Sequence, residues 1–223
     1  MPKLLSNLKI TINEKLYVKD PESTELGRNI IKYSILLIDE IGFEAFTFKK
    51  LGEKIQSNES SIYRYFENKH KLLVYLTARY WSWMEYRLAF ATTNVINPIE
   101  KLEKAIKLVT ENIVDDDATP YINEAVLNRI IVSEFAKTLM TKEVDNDHKE
   151  GFFLVYVRVI NRIIAIINEV NPNYPFAKSL ASSIVEGALH QHFLKNHLKT
   201  ITNFSEKECA TAFYTDMVKK IIV

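Results

Sequence analysis

The chain has little of what makes cross-links, turns or membrane spans. Its 223 residues include one cysteine, five glycines and six prolines. A lone Cys209 excludes an intramolecular disulfide framework and any multi-cysteine zinc site, and reads as a small apolar filler. So few chain breakers imply long helices joined by few loops. No apolar run reaches the roughly 18 residues that span a bilayer, and the N-terminus lacks the charged-then-apolar pattern of a secretory leader, so a cytoplasmic location without membrane association is expected. Charge of one sign is missing too: 29 Lys and Arg against 28 Asp and Glu leave a formal net charge of +1. No global field draws such a chain to nucleic acid or anionic lipid, and any affinity must come from local placement. A phosphate-binding glycine loop, a nucleophile elbow and a usable Cys-His pair are all lacking, and the histidines near Glu186 (His190, His192 and His197) do not share one helix face. No enzymatic activity, cofactor or metal is expected.

What is present centres on residues 46–73, FTFKKLGEKIQSNESSIYRYFENKHKLL. Thr47 is suited to cap a short helix whose Phe48, Leu51 and Ile55 recur at helical spacing and face inward. Gln56 and Ser57 make a turn. Asn58 is a second N-cap, opening a helix packed through Ile62, Tyr63 and Phe66 that leaves Glu59, Ser60, Ser61 and Arg64 outward. Two short helices across a tight turn are helix-turn-helix grammar, and a polar, small-residue helix start fits the major groove. Over residues 47–71 the cations Lys49, Lys50, Lys54, Arg64, Lys69 and Lys71 outnumber Glu53, Glu59 and Glu67. That excess is modest, so the motif carries the expectation and non-specific binding should be weak.

The run Leu51 to Leu72 resembles the DNA-binding domain of the tetracycline-repressor (TetR) family, most specifically at Ile62-Tyr63-Arg64-Tyr65-Phe66 with Asn68-Lys69. Three departures from the family pattern stand out. Gly52 stands for the usual Ala, Gln56-Ser57 for the usual Gly-Val, and Ser60 where many members have Gly. The resemblance implies that Tyr63, Tyr65 and Lys69 contact phosphates, that Thr47 and Lys49 lie near the DNA backbone, and that Asn58, Ser60, Ser61 and Arg64 complete the surface, with Ser60, Ser61 and Arg64 toward the bases.

The remaining elements follow from periodicity and caps. Residues 1–24 lack helical period and read as an N-terminal arm, a short hairpin or extended segment whose lysines could touch DNA, or a leader packed on its own domain. A helix from Glu25 to Ile41, ended by Gly42, completes a three-helix DNA-binding domain over residues 25–67. Residues 68–223 form the second domain. Asn68 caps a fourth helix to about Ala91; Asn97-Pro98 opens a fifth, ending near Asp115-Asp116-Asp117; Thr119-Pro120 opens a sixth to about Met140. Asp147 with Glu150 opens a seventh, Phe176 to His197 is an eighth, and Ser205 with Glu208 caps a ninth. The fold class expected is all-α, about nine helices, with an N-terminal helix-turn-helix domain and a C-terminal helical ligand-binding and dimerisation domain.

The function expected is sequence-specific DNA binding by a transcriptional regulator, a repressor released from its operator by a small molecule. A single short helix reads too few base pairs, so a homodimer through the eighth and ninth helices on a palindromic double-stranded site is expected. The aromatic-rich fourth and seventh helices suggest a pocket for a small apolar or aromatic effector, with Trp83, Tyr86, Phe153 and Tyr156 as walls. The competing reading is an all-helical ligand carrier or interaction protein whose helix-turn-helix is degenerate, for which the Gln56-Ser57 turn is the hint.

Overall fold

The computed structural model describes residues 10–115, 119, 121–205 and 210–222. Among them there is no strand, and the regular structure is helical. The chain divides into two compact units, one of residues 1–82 with 113–153 and the other of residues 83–112 with 154–223. Those limits differ from the expected break at residue 67, because the segment from 113 to 153 folds onto the N-terminal helices rather than with the later ones.

In the first unit, α1 spans Glu25–Ala45 and is capped by Thr24, whose hydroxyl accepts from the Gly27 N–H. Gly42 has φ of 76° and kinks the chain where the helix was expected to stop. Only a residue without Cβ adopts that conformation cheaply. Thr47 and Asn58 cap α2 (Phe48–Lys54) and α3 (Glu59–Tyr63) as their side chains suggest. Ile30, Ile31, Phe46, Leu51, Ile62 and Phe66 are buried and form the core beneath them. The fourth helix, α4 (Lys69–Thr92), starts where the Asn68 side chain accepts from the Lys71 N–H, and its chain runs from the first unit into the second.

Two expectations about this unit fail, and the alternatives left open for the arm are narrowed. Over residues 10–24 it is a packed leader without a hairpin: Glu14–Leu16 and Pro21–Ser23 are single 3-10 turns, and Ile10, Ile12 and Leu16 are buried. Lys15 is exposed and pairs with Glu150. The expected sixth helix starts at Asn123 rather than Thr119 and is broken at Phe135 into α6 (Glu124–Glu134) and α7 (Ala136–Leu139). Asp147 is no N-cap. It lies buried inside α8 (Val144–Lys149), and its carboxylate meets His70 Nε2 at 3.2 Å, a partner 77 residues away. A turn over residues 150–153 then leads to α9 (Leu154–Val170).

The second unit packs α5 (Pro98–Thr110), α9, α10 (Ala177–His197) and α11 (Ala210–Ile222) against one another. Asn97 caps α5, which ends five residues before the acidic run. Leu102, Ile106, Val159, Ile163, Ile184, Val185 and Val218 fill the interior. Eleven α-helices are thus described where about nine were expected, because the sixth and seventh each resolve into two. Asp116, Asp117, Pro120, Glu208 and Cys209 lie outside the described residues.

Candidate nucleic-acid interface

The outward face of α2 and α3 belongs to the first unit. Thr47 and Lys49 are exposed at the start of α2, with Thr47 Oγ1 accepting from the Lys50 N–H at 3.2 Å. Asn58 Oδ1 closes the start of α3. It accepts from the Ser61 N–H at 2.8 Å, from the Ser60 hydroxyl at 2.8 Å and from the Ser61 hydroxyl at 2.6 Å. Asn58, Ser60, Tyr63 and Arg64 are exposed and Ser61 half-buried. Tyr63 rests its ring edge on Phe48, centroids 5.0 Å apart, and its hydroxyl donates to Glu59 at 3.4 Å, so it stands at the surface in a fixed posture. An open groove of about 560 Å3 runs along the turn between Lys49, Gly52, Gln56, Asn58 and Glu59.

Two residues expected on this face are placed differently. Tyr65 is 4 % exposed, and its hydroxyl lies 2.7 Å from that of Thr24. Lys69 directs its ammonium group at the carbonyl oxygens of Phe43, Glu44 and Phe46, at 3.0, 3.2 and 3.3 Å, with the Phe43 ring beneath it. These are the free acceptors at the end of α1, and a cation there satisfies them and opposes the helix dipole.

The departures at the turn prove to be linked. Gln56 has φ of 54°, the left-handed conformation for which the usual residue is Gly. A Cβ on Gly52 would sit 2.7 Å from the Ser57 carbonyl oxygen. Thus the turn chain lies closer to α2 than an alanine at 52 allows, and Gly52 goes with the Gln56-Ser57 turn. The three-position departure in the sequence was the available signal for that pairing.

The four expected effector walls are not gathered in one unit. Trp83, Tyr86 and Tyr156 belong to the second, Phe153 to the first. Trp83 is buried with the Arg87 guanidinium 4.6 Å from its ring, whereas Tyr86 is exposed. The Tyr156 hydroxyl donates to Glu186 at 2.6 Å, and burial together with that carboxylate pushes it well above the usual phenol range. Phe153 is buried. A cavity of about 380 Å3 in the first unit has other walls: Lys32, Ile35, Leu36, Thr119, Tyr121 and Ile122 among them. In α10, His192 Nε2 meets the Thr110 carbonyl rather than a metal partner, and Glu186 is held by Tyr156. No cluster of three or more metal-ligating side chains occurs among the described residues. None of the described helices is long and apolar enough to cross a membrane.

Comparison with known proteins supports the reading of the first unit. Residues 30–76 match the bacterial regulatory proteins of the tetR family. No curated protein matches the chain. Among solved structures the chain is similar to a bacterial regulatory protein in the tetR family from Rhodococcus RHA1, at TM-score 0.61 and 13 % identity over 89 % of this chain and 98 % of that one. It is also similar to the superantigen PfiT, at TM-score 0.59 and 14 % identity over 92 % and 98 %. A third is AibR in complex with isovaleryl coenzyme A and operator DNA, at TM-score 0.54 and 16 % identity over 87 % and 98 %. Such low identities establish the fold alone, and PfiT illustrates that a fold does not name a function. The family match thus covers α1 to the start of α4, and the chain as a whole has the all-helical fold seen in a regulatory protein of the tetR family.

Proposed function

We propose that the chain is a repressor that binds a palindromic operator as a homodimer and leaves it when a small, mostly apolar effector binds. The observation that carries the DNA half is the exposed polar row of Thr47, Lys49, Asn58, Ser60, Tyr63 and Arg64 around the start of α3. Beyond the caps, none of these side chains is needed to fill the core, which Ile62 and Phe66 supply from the other face. Lys49 and Tyr63 suit phosphates, while Ser60, Ser61 and Arg64 suit base edges. The structure of AibR holds both operator DNA and an acyl coenzyme A, which supports the pairing of the two ligand types on this fold.

A helix of five residues meets too few base pairs to specify a site, so two copies related by a two-fold axis are needed. On α10 and α11, the helices of the expected dimer contact, Leu180, Ile184, Leu189, Val218 and Ile222 are buried. Phe213 and Ile221 stay exposed on α11 and are the groups a partner copy would cover. The effector must favour the DNA-incompetent arrangement by ~1–3 kcal/mol for a 5- to 150-fold release, and operator DNA must weaken effector binding by the same factor.

The test begins with selection of bound duplexes from a random pool by the full chain, followed by the mass of the complex. A palindromic consensus bound by two chains is expected, and the absence of any enriched duplex would sink the reading. Tryptophan fluorescence then screens small apolar ligands, each hit being titrated with and without the enriched duplex. A hit that binds equally well in both titrations is no inducer.

A further inference from the structure

The resemblance places Tyr65 among phosphate contacts, yet this structure turns it inward. Tyr63 and Tyr65 are two residues apart and have opposite surroundings: 48 % of the first is exposed and 4 % of the second. Tyr65 follows the last residue of α3 directly after Arg64 and is held at three points by the segment that precedes α1. Its carbonyl accepts from the Val18 N–H at 2.8 Å. Its hydroxyl lies 2.7 Å from Thr24 Oγ1, the same oxygen that caps α1. Its ring carries the Lys19 ammonium at 5.4 Å.

That segment is itself fastened. Glu22 accepts from the Tyr75 hydroxyl at 3.3 Å and pairs with the buried Arg79 guanidinium at 3.8 Å, both on α4, while its carbonyl accepts from Arg28 of α1 at 2.8 Å. Gly27 is required for so close a fit, since a Cβ there would fall 2.1 Å from the Pro21 carbonyl oxygen. Residues 18–24 therefore form a strap that holds the exit of α3 at both of its ends, Val18 and Thr24, and is tied to α1 and α4 through Glu22 and Thr24. A helix of five residues has little stiffness of its own, and its angle depends on what holds its ends.

We propose that Tyr65 is a positioning residue: it fixes the reading angle of α3 by tethering its end to the strap through Thr24 and Val18, and it does not itself contact DNA. The proposal rests on the DNA-binding reading. It adds residues 18–24 to the machinery that sets specificity.

The experiment uses the full chain, the duplex that the natural sequence enriches from a random pool, and an unrelated duplex of equal length. Tyr65→Phe and Thr24→Val remove the two hydroxyls singly and together, and Thr24→Ser keeps both the cap and the tether. Each single change is expected to weaken the enriched duplex about fivefold. The double change should do no more than the stronger single one, which separates the pair from the lost α1 cap. Salt dependence and affinity for the unrelated duplex should stay as they were, and Thr24→Ser should behave as the natural sequence. In the free protein, amide exchange over residues 59–65 should quicken in Tyr65→Phe. The proposal is overturned if Tyr65→Phe lowers the salt slope by about one and weakens both duplexes alike while Thr24→Val leaves the enriched duplex unchanged, because that is the signature of a phosphate contact. Unchanged binding and exchange in Tyr65→Phe would also overturn it. If no duplex is enriched the DNA-binding reading fails separately, and the exchange comparison still decides whether the tether holds α3.

Discussion

The helix-turn-helix face over residues 47–64 and the aromatic cluster over residues 80–83 are both dense in side chains that suggest binding, and the structure treats them oppositely. On the first, Lys49, Asn58, Ser60, Tyr63 and Arg64 stand exposed with hydrogen-bonding capacity that the core does not need. On the second, Tyr80, Trp81 and Trp83 are buried, and the Tyr80 hydroxyl is bonded to Asn128. Polar groups that the interior has no use for mark a surface for a partner, whereas aromatic density by itself marks packing.

The sharpest way to break that contrast is Trp83→Ala. If Trp83 is core, stability falls by about 3–5 kcal/mol in a denaturant titration. A change under about 1 kcal/mol would mean the indole already borders empty space and would restore it as a pocket wall. Next comes Gly52→Ala, which restores the residue common in the family. Here it must push the Ser57 carbonyl aside and is expected to cost roughly 1–3 kcal/mol, visible as a lower melting temperature. Arg64→Ala should leave melting unchanged and weaken the enriched duplex by roughly 1–3 kcal/mol, with relaxed preference at one base pair. Gln56→Gly relieves the left-handed conformation, and after the entropy of an added glycine should stabilise by ~0.5–1 kcal/mol.

The smallest effect expected is a pH dependence in the second unit. Burial holds His192 below its ordinary imidazole value, so the unfolded chain takes up a proton more readily than the folded one. Its contribution is fully present above about pH 6.5 and is lost as pH falls through the lower folded value. Comparing melting temperatures of His192→Gln and the natural sequence across that range should show a flatter acid limb in the variant.

How much of this could be read in advance depended on whether a residue's partner lay nearby in the chain. Thr47, Asn58, Asn68 and Asn97 were legible as caps because a cap bonds two or three residues ahead, and each does so. Asp147 looked equally like a cap and is not, because its partner His70 comes from α4. The strap was illegible for the same reason. Residues 18–24 carry no periodic pattern, and they are placed by a tyrosine more than 40 residues on and by the absent side chain of Gly27. On the helix-turn-helix face, the residues the motif singled out at the helix starts, Thr47, Lys49, Asn58 and Ser60, are exposed. What the motif could not supply was the direction of Tyr65 and Lys69, which is decided by the empty carbonyls of α1 and the hydroxyl of Thr24.

The cap on α3 also constrains which base edge could meet it. An amide oxygen has no hydrogen to give, so the short contacts from Ser60 and Ser61 to Asn58 Oδ1 consume the hydrogen of each hydroxyl. Turned outward, both serines offer lone pairs only. An exocyclic amine of adenine or cytosine complements them, while the carbonyl edges of guanine and thymine do not. Two residues that look ambivalent in a sequence are thereby made one-directional by the cap between them and the turn.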